Sequence, residues 1–285
     1  MESIKIAIQK KGRLSEKSIN LLRECGIKVS NDFSKLKTES TNFPMEILFL
    51  RDDDIPQYVE QGVADLGILG QNEVWEKEKD VSIVEHLGFG YCRLSLAIPK
   101  EEVYTNINYF NGKRVATSYP KILNEYFQKN RIDAEIESLG GSVEIATSIG
   151  LADAVFDIVS SGSTLIMNGL KEIETVVKSE AVLISNKNLS LDKKTILEKL
   201  LFRIKAYKNG QGKKYILMNV PNEVIPVITN LLPGMRSPSI LSLADKGWSS
   251  IHSVIDDDDF WDVIDELKRN GAEGILVTPI EKMIL

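Results

Sequence analysis

The sequence predicts an α/β protein of two lobes with parallel-rich sheets, followed by a smaller ferredoxin-like βαββαβ domain. Three observations carry that expectation. Strand-like and helix-like hydrophobic periods alternate from the first residues, the alternation restarts after a long extended stretch at residues 88–99, and the last part of the chain changes its order of elements.

Residues 4–8 alternate as a strand and Gly12 breaks it. Residues 14–25 then follow a helical period, with Leu21, Leu22 and Cys25 inward and Gly26 as the stop. Residues 46–50 are the next strand. Arg51-Asp52-Asp53-Asp54-Ile55-Pro56 opens a helix with acidic residues and a first-turn proline, and that helix ends near Gly62. Residues 65–69 form a short buried strand, so the strand-helix-strand order implies parallel strands with right-handed crossovers. The extended stretch leads into a second lobe: strand 113–117, helix 119–129, strand 134–138, helix 142–149 and strand 154–159. A strand at 181–184 returns to the first lobe, a helix covers 192–209, and Asn209-Gly210-Gln211-Gly212 reads as a linker. Beyond it come strand 214–220, helix 222–231, strands 239–243 and 248–255, helix 258–268 and strand 274–279, the order of an ACT-type ligand-sensing domain. The expected organisation is residues 1–90 with 181–209 as lobe I, 91–180 as lobe II, and 210–285 as the third domain.

Composition narrows the function. The 285 residues exceed the ~100 to 200 of one typical domain. No apolar run approaches the ~20 residues needed to span a bilayer, and the chain opens directly into a strand with no secretory signal, so a cytoplasmic protein that does not enter membranes is expected. A formal charge of −6 disfavours a general nucleic-acid binder. Two cysteines make no disulfide framework, and Cys25 and Cys92 are expected as small buried hydrophobes. Two distant histidines, His86 and His252, give little support to Ser/His/Asp triads or multi-histidine metal sites. Carboxylates, Lys, Arg and backbone amides are left to do the chemistry.

The sharpest local signal is Asp157 to Leu165, where a buried strand delivers Ser160, Ser161, Gly162, Ser163 and Thr164 to the start of a helix. Amides and hydroxyls converging there suit a phosphate, and the same groups serve equally as an ordinary helix cap. Asp157, at the carboxyl end of the strand, is placed for sugar hydroxyls or a phosphate-bound Mg²⁺. Asp153 shares its face but lies ~13 Å away at ~3.3 Å per residue, which makes it structural. Gln9-Lys10-Lys11-Gly12-Arg13 fills the turn after the first strand, where ligands gather in open α/β folds. Arg51 ends a parallel strand and is positioned to converge with Arg13 on a polyphosphate. Asp52 to Asp54 are read as complementing a helix dipole rather than holding a metal. Glu144 follows Gly140 and Gly141 and either reaches the cleft or caps its own helix. Asp256 to Asp259 read as a solvated helix start, and Trp248 and Trp261 as core.

Taken together, Gln9 to Leu14, Arg51 to Pro56, Ala64-Asp65-Leu66-Gly67-Ile68-Leu69-Gly70, Gly112 to Pro120, the Asp157 to Leu165 loop and Pro279-Ile280-Glu281-Lys282-Met283 resemble the long form of the ATP phosphoribosyltransferase family. The resemblance runs through the chain in order. It implies that adenine N1 of ATP displaces diphosphate from phosphoribosyl pyrophosphate, with Mg²⁺, to give phosphoribosyl-ATP in the first step of histidine biosynthesis. It assigns phosphoribosyl pyrophosphate to Asp157, Ser160, Ser161, Gly162, Ser163 and Thr164, ATP to Lys10, Gly12, Arg13, Arg51 and Glu144, and catalysis to Arg13, Arg51 and Asp157. It also implies inhibition by histidine at Asn219, Ser237, Ser239 and Gly274, and dimers that assemble to hexamers. Asn219 stands where some members have Asp and Gly274 where some have Ala, which bears on the strength of inhibition. The alternatives are a non-catalytic anion- or solute-binding protein, because the two-lobed fold also resembles periplasmic binding proteins, and a purely regulatory subunit.

Overall fold

The computed structural model describes residues 2–29, 36–232, 234 and 237–285. The chain divides into two compact units, Met1–Glu198 and Lys199–Leu285.

The first unit begins with β1 (Ile4–Gln9), α1 (Arg13–Glu24), β2 (Lys37–Glu39), β3 (Met45–Leu50), α2 (Ile55–Glu60), β4 (Leu66–Gly70), α3 (Gln71–Lys77) and β5 (Val81–His86). β1 lies between β3 and β4 and runs parallel to both. It is buried on both faces: Ile6 and Ile8 point one way, and Ala7 packs into a layer with Ile55, Val59, Ala64 and Val182 on the other. The turns that follow β1, β3 and β4 therefore open on the same edge of the sheet.

The second lobe holds β6 (Cys92–Pro99), β7 (Arg114–Thr117), α4 (Pro120–Asn130), β8 (Glu135–Ser138), β9 (Ala154–Val159), α5 (Ser163–Met167) and β10 (Leu170–Ser179). Its sheet order is β10-β6-β9-β7-β8, with β6 antiparallel to both neighbours and β7 parallel to β8 and β9. Leu94, Leu96, Phe110, Val115, Phe127 and Phe156 fill the core beneath α4. Asp153 accepts the backbone N–H of Arg114 at 2.9 Å, a structural bond between β7 and β9. The chain then returns through β11 (Ala181–Asn186), which pairs antiparallel with β4 and β5 and completes the first sheet in the order β2-β3-β1-β4-β11-β5. Both sheets are thus mixed, richer in antiparallel pairs than the alternation alone suggests.

The expected helix over 142–149 is a single 3₁₀ turn, Val143–Ile145. Glycines at 140, 141 and 150 and β-branched residues at 143, 145, 147 and 149 weaken a helix there, and Ser142 enters with φ +52°. Four strands or helices carry no clear sequence signal: β2, α3, whose buried face is polar, β5, and β10, whose register shifts twice. The stretch expected as a linker is the end of α6 (Leu191–Gly210) and a following turn, and the second compact unit already includes the later half of that helix.

That second unit continues with β12 (Lys213–Pro221), α7 (Ile225–Leu231), β13 (Ser239–Ser242), β14 (Trp248–Asp256), α8 (Asp257–Arg269) and β15 (Glu273–Pro279). The order β13-β14-β12-β15, antiparallel throughout, is the ferredoxin-like arrangement expected. Ile216, Met218, Val220, Ile251 and Ile255 meet Ile228 and Leu267 on the helix-covered face. Alternation leaves Asn219 and His252 on the other face. Trp261, expected in the core, is 73% exposed. Phe260, Val263 and Leu267 form the stripe of α8 that meets the sheet, and Trp261 sits a further 100° or so round the helix from Phe260. Trp248 is only partly buried.

Candidate active site

The two lobes of the first unit enclose a cleft of about 480 Å³ lined by Gln9, Arg13, Lys17, Asp52, Asn72, Glu73, Cys92, Ile158 and Ser160 among others. Its walls are the ends of β1, β3 and β4 on one side and the end of β9 on the other. Gln9 donates to Asp52 at 3.3 Å, which ties the turns after β1 and β3 together. A hollow of about 610 Å³ in the second unit has an acidic rim of Asp256, Asp259 and Asp262 and is ill suited to an anion. The interlobe cleft sets Arg13 and Lys17 against Asp52 and Glu73.

Beyond β9 the chain turns through Ser160, Ser161 and Gly162 into α5. Gly162 has φ +79° and ψ −2°, a left-handed conformation that side chains resist. The Ser161 hydroxyl accepts the first N–H of α5, that of Ser163, at 3.5 Å. Ser161 and Ser163 hydroxyls lie 3.0 Å apart. Burial pushes the Asp157 carboxyl up to about 6, the N–H of Ile158 opposes the shift and the Glu144 carboxylate adds to it.

Sequence reasoning did not foresee the polar cluster behind the cleft. Tyr119 donates to Glu73 at 2.9 Å, Asn72 donates to Glu73 at 3.1 Å, and Ser179 donates to Asn72 at 2.8 Å. Burial raises the Glu73 carboxyl despite the Tyr119 hydrogen bond. The Tyr119 phenol is raised far out of range, first by burial and then by Glu73, Asp157 and Asp52. Next to it, Glu76 of α3 accepts the backbone N–H groups of Lys121 and Ile122, each at 3.1 Å, and so caps α4 from the other lobe. These bonds hold the two walls in register. Acidic residues on a helix opening directly from a buried strand were the available signal. Tyr119→Phe keeps the volume but leaves Glu73 short of a donor, and is expected to cost about 1–3 kcal/mol, read as a lower urea midpoint.

The other anticipated residues divide. Lys10, Lys11 and Gly12 line an adjoining groove with Lys17 and Arg23. Arg51 does not line the cleft: its exposed guanidinium forks onto its neighbour Asp53 at 3.1 and 3.2 Å. Arg13, by contrast, lines the cleft. Asp52, expected only to complement a dipole, faces the cleft. In the second unit, Asn219 and Gly274 are neighbours, with the Asn219 amide nitrogen 3.4 Å from where a Cβ on Gly274 would lie. Ser239 lies across β14 from them, opposite His252, and Ser237 precedes β13 in an exposed turn. Cys25 is buried, while Cys92 sits half-buried in the cleft wall with its thiol pushed up by burial.

A two-lobed α/β core with a polar interlobe cleft, joined to a ferredoxin-like domain, is the class this fold defines. Residues 51–206 match the ATP phosphoribosyltransferase family and residues 210–282 match the family described as HisG, C-terminal domain. The chain belongs to the ATP phosphoribosyltransferase family, in its long form. It is 57% identical over 282 residues to an ATP phosphoribosyltransferase of Bacteroides thetaiotaomicron, covering 99% of this chain and 100% of that protein. A Cytophaga hutchinsonii ATP phosphoribosyltransferase is 56% identical over 281 residues, covering 99% and 98%. Among solved structures, the ATP phosphoribosyl transferase (HisG:HisZ) complex from Thermotoga maritima superposes with a TM-score of 0.60 at 30% identity, over 70% of this chain and 98% of that one.

Proposed function

We propose that this chain joins ATP to phosphoribosyl pyrophosphate: adenine N1 attacks C1 of the ribose, the C1–oxygen bond breaks, and diphosphate leaves with inversion to give phosphoribosyl-ATP, the first step of histidine biosynthesis. The observation that carries the reading is the Ser160–Thr164 turn after β9, with Ser160 in the cleft wall, Gly162 left-handed and Asp157 on the strand that leads into it. Its amides and hydroxyls suit the 5′-phosphate and ribose. Adenine N1 already has a lone pair, so a site without a histidine base is sufficient. The remaining work is to position two polyanions and stabilise separating charge. Arg13 and Lys17 face the diphosphate, with Lys10 and Gly12 in the adjoining groove for the ATP polyphosphate, and Arg51 would join them by leaving Asp53. Asp157 answers the positive charge that develops on the ribose, and Glu144 lies beside it toward the ribosyl or adenine part.

Among the described residues no three carboxylate, histidine or cysteine side chains converge into a metal cage. Asp52 in the cleft wall and Asp157 at the end of β9 would offer the one or two carboxylates that Mg²⁺ takes when substrate phosphates and water supply the rest, and the ion would neutralise the diphosphate. A histidine site on the open sheet face at Asn219, Ser237, Ser239 and Gly274, assembly from dimers to hexamers, and a cytoplasmic location complete the reading. The alternative, a non-catalytic anion- or solute-binding or regulatory protein, is not favoured by relatives of this identity that are ATP phosphoribosyltransferases.

The test follows diphosphate release during a histidine titration. Histidine is expected to suppress it, and Asn219→Asp to lower the half-inhibiting concentration about tenfold, because a carboxylate pairs with the ligand's ammonium more strongly than an amide. Release that histidine leaves unchanged in both proteins contradicts the regulatory part alone.

A further inference from the structure

Arg93, at the start of β6, makes more bonds than an ion pair between neighbouring strands requires. Its Nε and Nη2 donate to the two carboxylate oxygens of Glu172, each at 2.5 Å. Its Nη1 donates to the backbone carbonyl of Ser160 at 3.1 Å. Glu172 is itself held: Ser95 and Thr175 donate hydroxyl bonds to it at 2.8 and 3.3 Å, and β10 shifts register immediately after it. The Arg93 hydrogen bond, with smaller help from Ser95, keeps its carboxyl below the usual range. The guanidinium is therefore fixed in position by one partner while its third edge grips the first residue of the anion loop.

That grip has a geometric consequence. A peptide unit is planar and trans, so holding the Ser160 C=O toward Arg93 fixes the Ser161 N–H in the opposite direction. It also occupies a carbonyl oxygen that would repel an incoming phosphate. Because Glu172 balances the Arg93 charge, the effect is one of orientation and not of long-range attraction.

We propose that Arg93, clamped by Glu172, is a positioning residue that locks the Ser160–Ser161 peptide for phosphoribosyl pyrophosphate. The inference rests on the functional reading above, in which this loop takes that substrate. Isothermal titration of the full chain with phosphoribosyl pyrophosphate, and separately with ATP, tests it. Arg93→Met is expected to raise the Kd for phosphoribosyl pyrophosphate about tenfold or more, the worth of one well-placed bond, and to move the Kd for ATP less than about twofold. Arg93→Lys separates orientation from stability: its ammonium can pair with Glu172 but lacks the fork to hold Ser160 as well. It is expected to restore the melting temperature and leave phosphoribosyl pyrophosphate binding weak. Recovery of both together, or parental affinity in the Met variant, overturns the proposal. If the Met variant does not fold, the Lys variant decides alone. A parent protein that binds no phosphoribosyl pyrophosphate overturns the functional reading and this inference together, and the parent titration distinguishes that case.

Discussion

Gly162→Val is expected to raise the Kd for phosphoribosyl pyrophosphate at least ~100-fold while the fold survives. Space is not the reason. A Cβ at this position would meet only the Val159 side chain, at 3.9 Å. The reason is the backbone: φ is +79°, and a β-branched residue is an outlier there. Valine would relax by rotating the peptide planes on either side, and those planes carry the amides of Ser163 and its neighbours that meet the phosphate in the proposed reading. Gly162→Asn is the control, since asparagine tolerates the left-handed region, and it is expected to keep most of the affinity. The melting temperature of the Val variant is expected to fall by only a few degrees, because the strain is about 1–3 kcal/mol in a chain of this size. Titration calorimetry decides it, and undiminished binding by the Val variant removes the loop from the site.

The second large effect concerns Asp157. Its carboxyl, raised from 3.8 to about 6 by burial, holds a proton more tightly in the folded protein than in the unfolded chain. Stability therefore declines as pH rises from about 4 to about 6 and stays lower above that. Asp157→Asn removes this cost, and the variant is expected to be more stable than its parent at pH 7.5 by about 2 kcal/mol, with the difference vanishing below pH ~4. Its turnover is expected to fall at least ~100-fold, because in the proposed reaction the lost charge answers the developing positive ribose. In the parent, kcat/KM for phosphoribosyl pyrophosphate is expected to drop below pH ~6 as Asp157 protonates. Denaturant unfolding at two pH values and a pH profile check both halves. A variant that loses activity without gaining stability would show that Asp157 is not held at an energetic cost.

Gain of stability with loss of activity is the signature of a residue kept for function, and it bears on what the sequence could reveal. The alternating periods around β1, β3 and β4 and the order of elements from β12 to β15 were legible because apolar faces set them directly. The turn from β9 into α5 was legible because Ser160 to Thr164 are small, hydroxyl-bearing residues around a glycine at the end of a buried strand, a pattern that suits a helix cap and an anion equally. α3 was not, since Asn72, Glu73 and Glu76 are buried polar residues whose partners, Tyr119, Ser179 and the start of α4, lie far along the chain. Periodicity reads such a face as solvent. Arg51 shows the converse: its position at a strand end suggested convergence with Arg13, but Asp53, two residues on, captures its guanidinium first. Arg93 gave no local signal, because its partners lie far along the chain, Glu172 in β10 and Ser160 in the turn after β9.

The most direct test of the account incubates the purified protein with ATP, phosphoribosyl pyrophosphate and Mg²⁺ and follows the products by mass spectrometry. The account predicts phosphoribosyl-ATP substituted at adenine N1, with one diphosphate released for each. Tight binding of both substrates with no such product would contradict it.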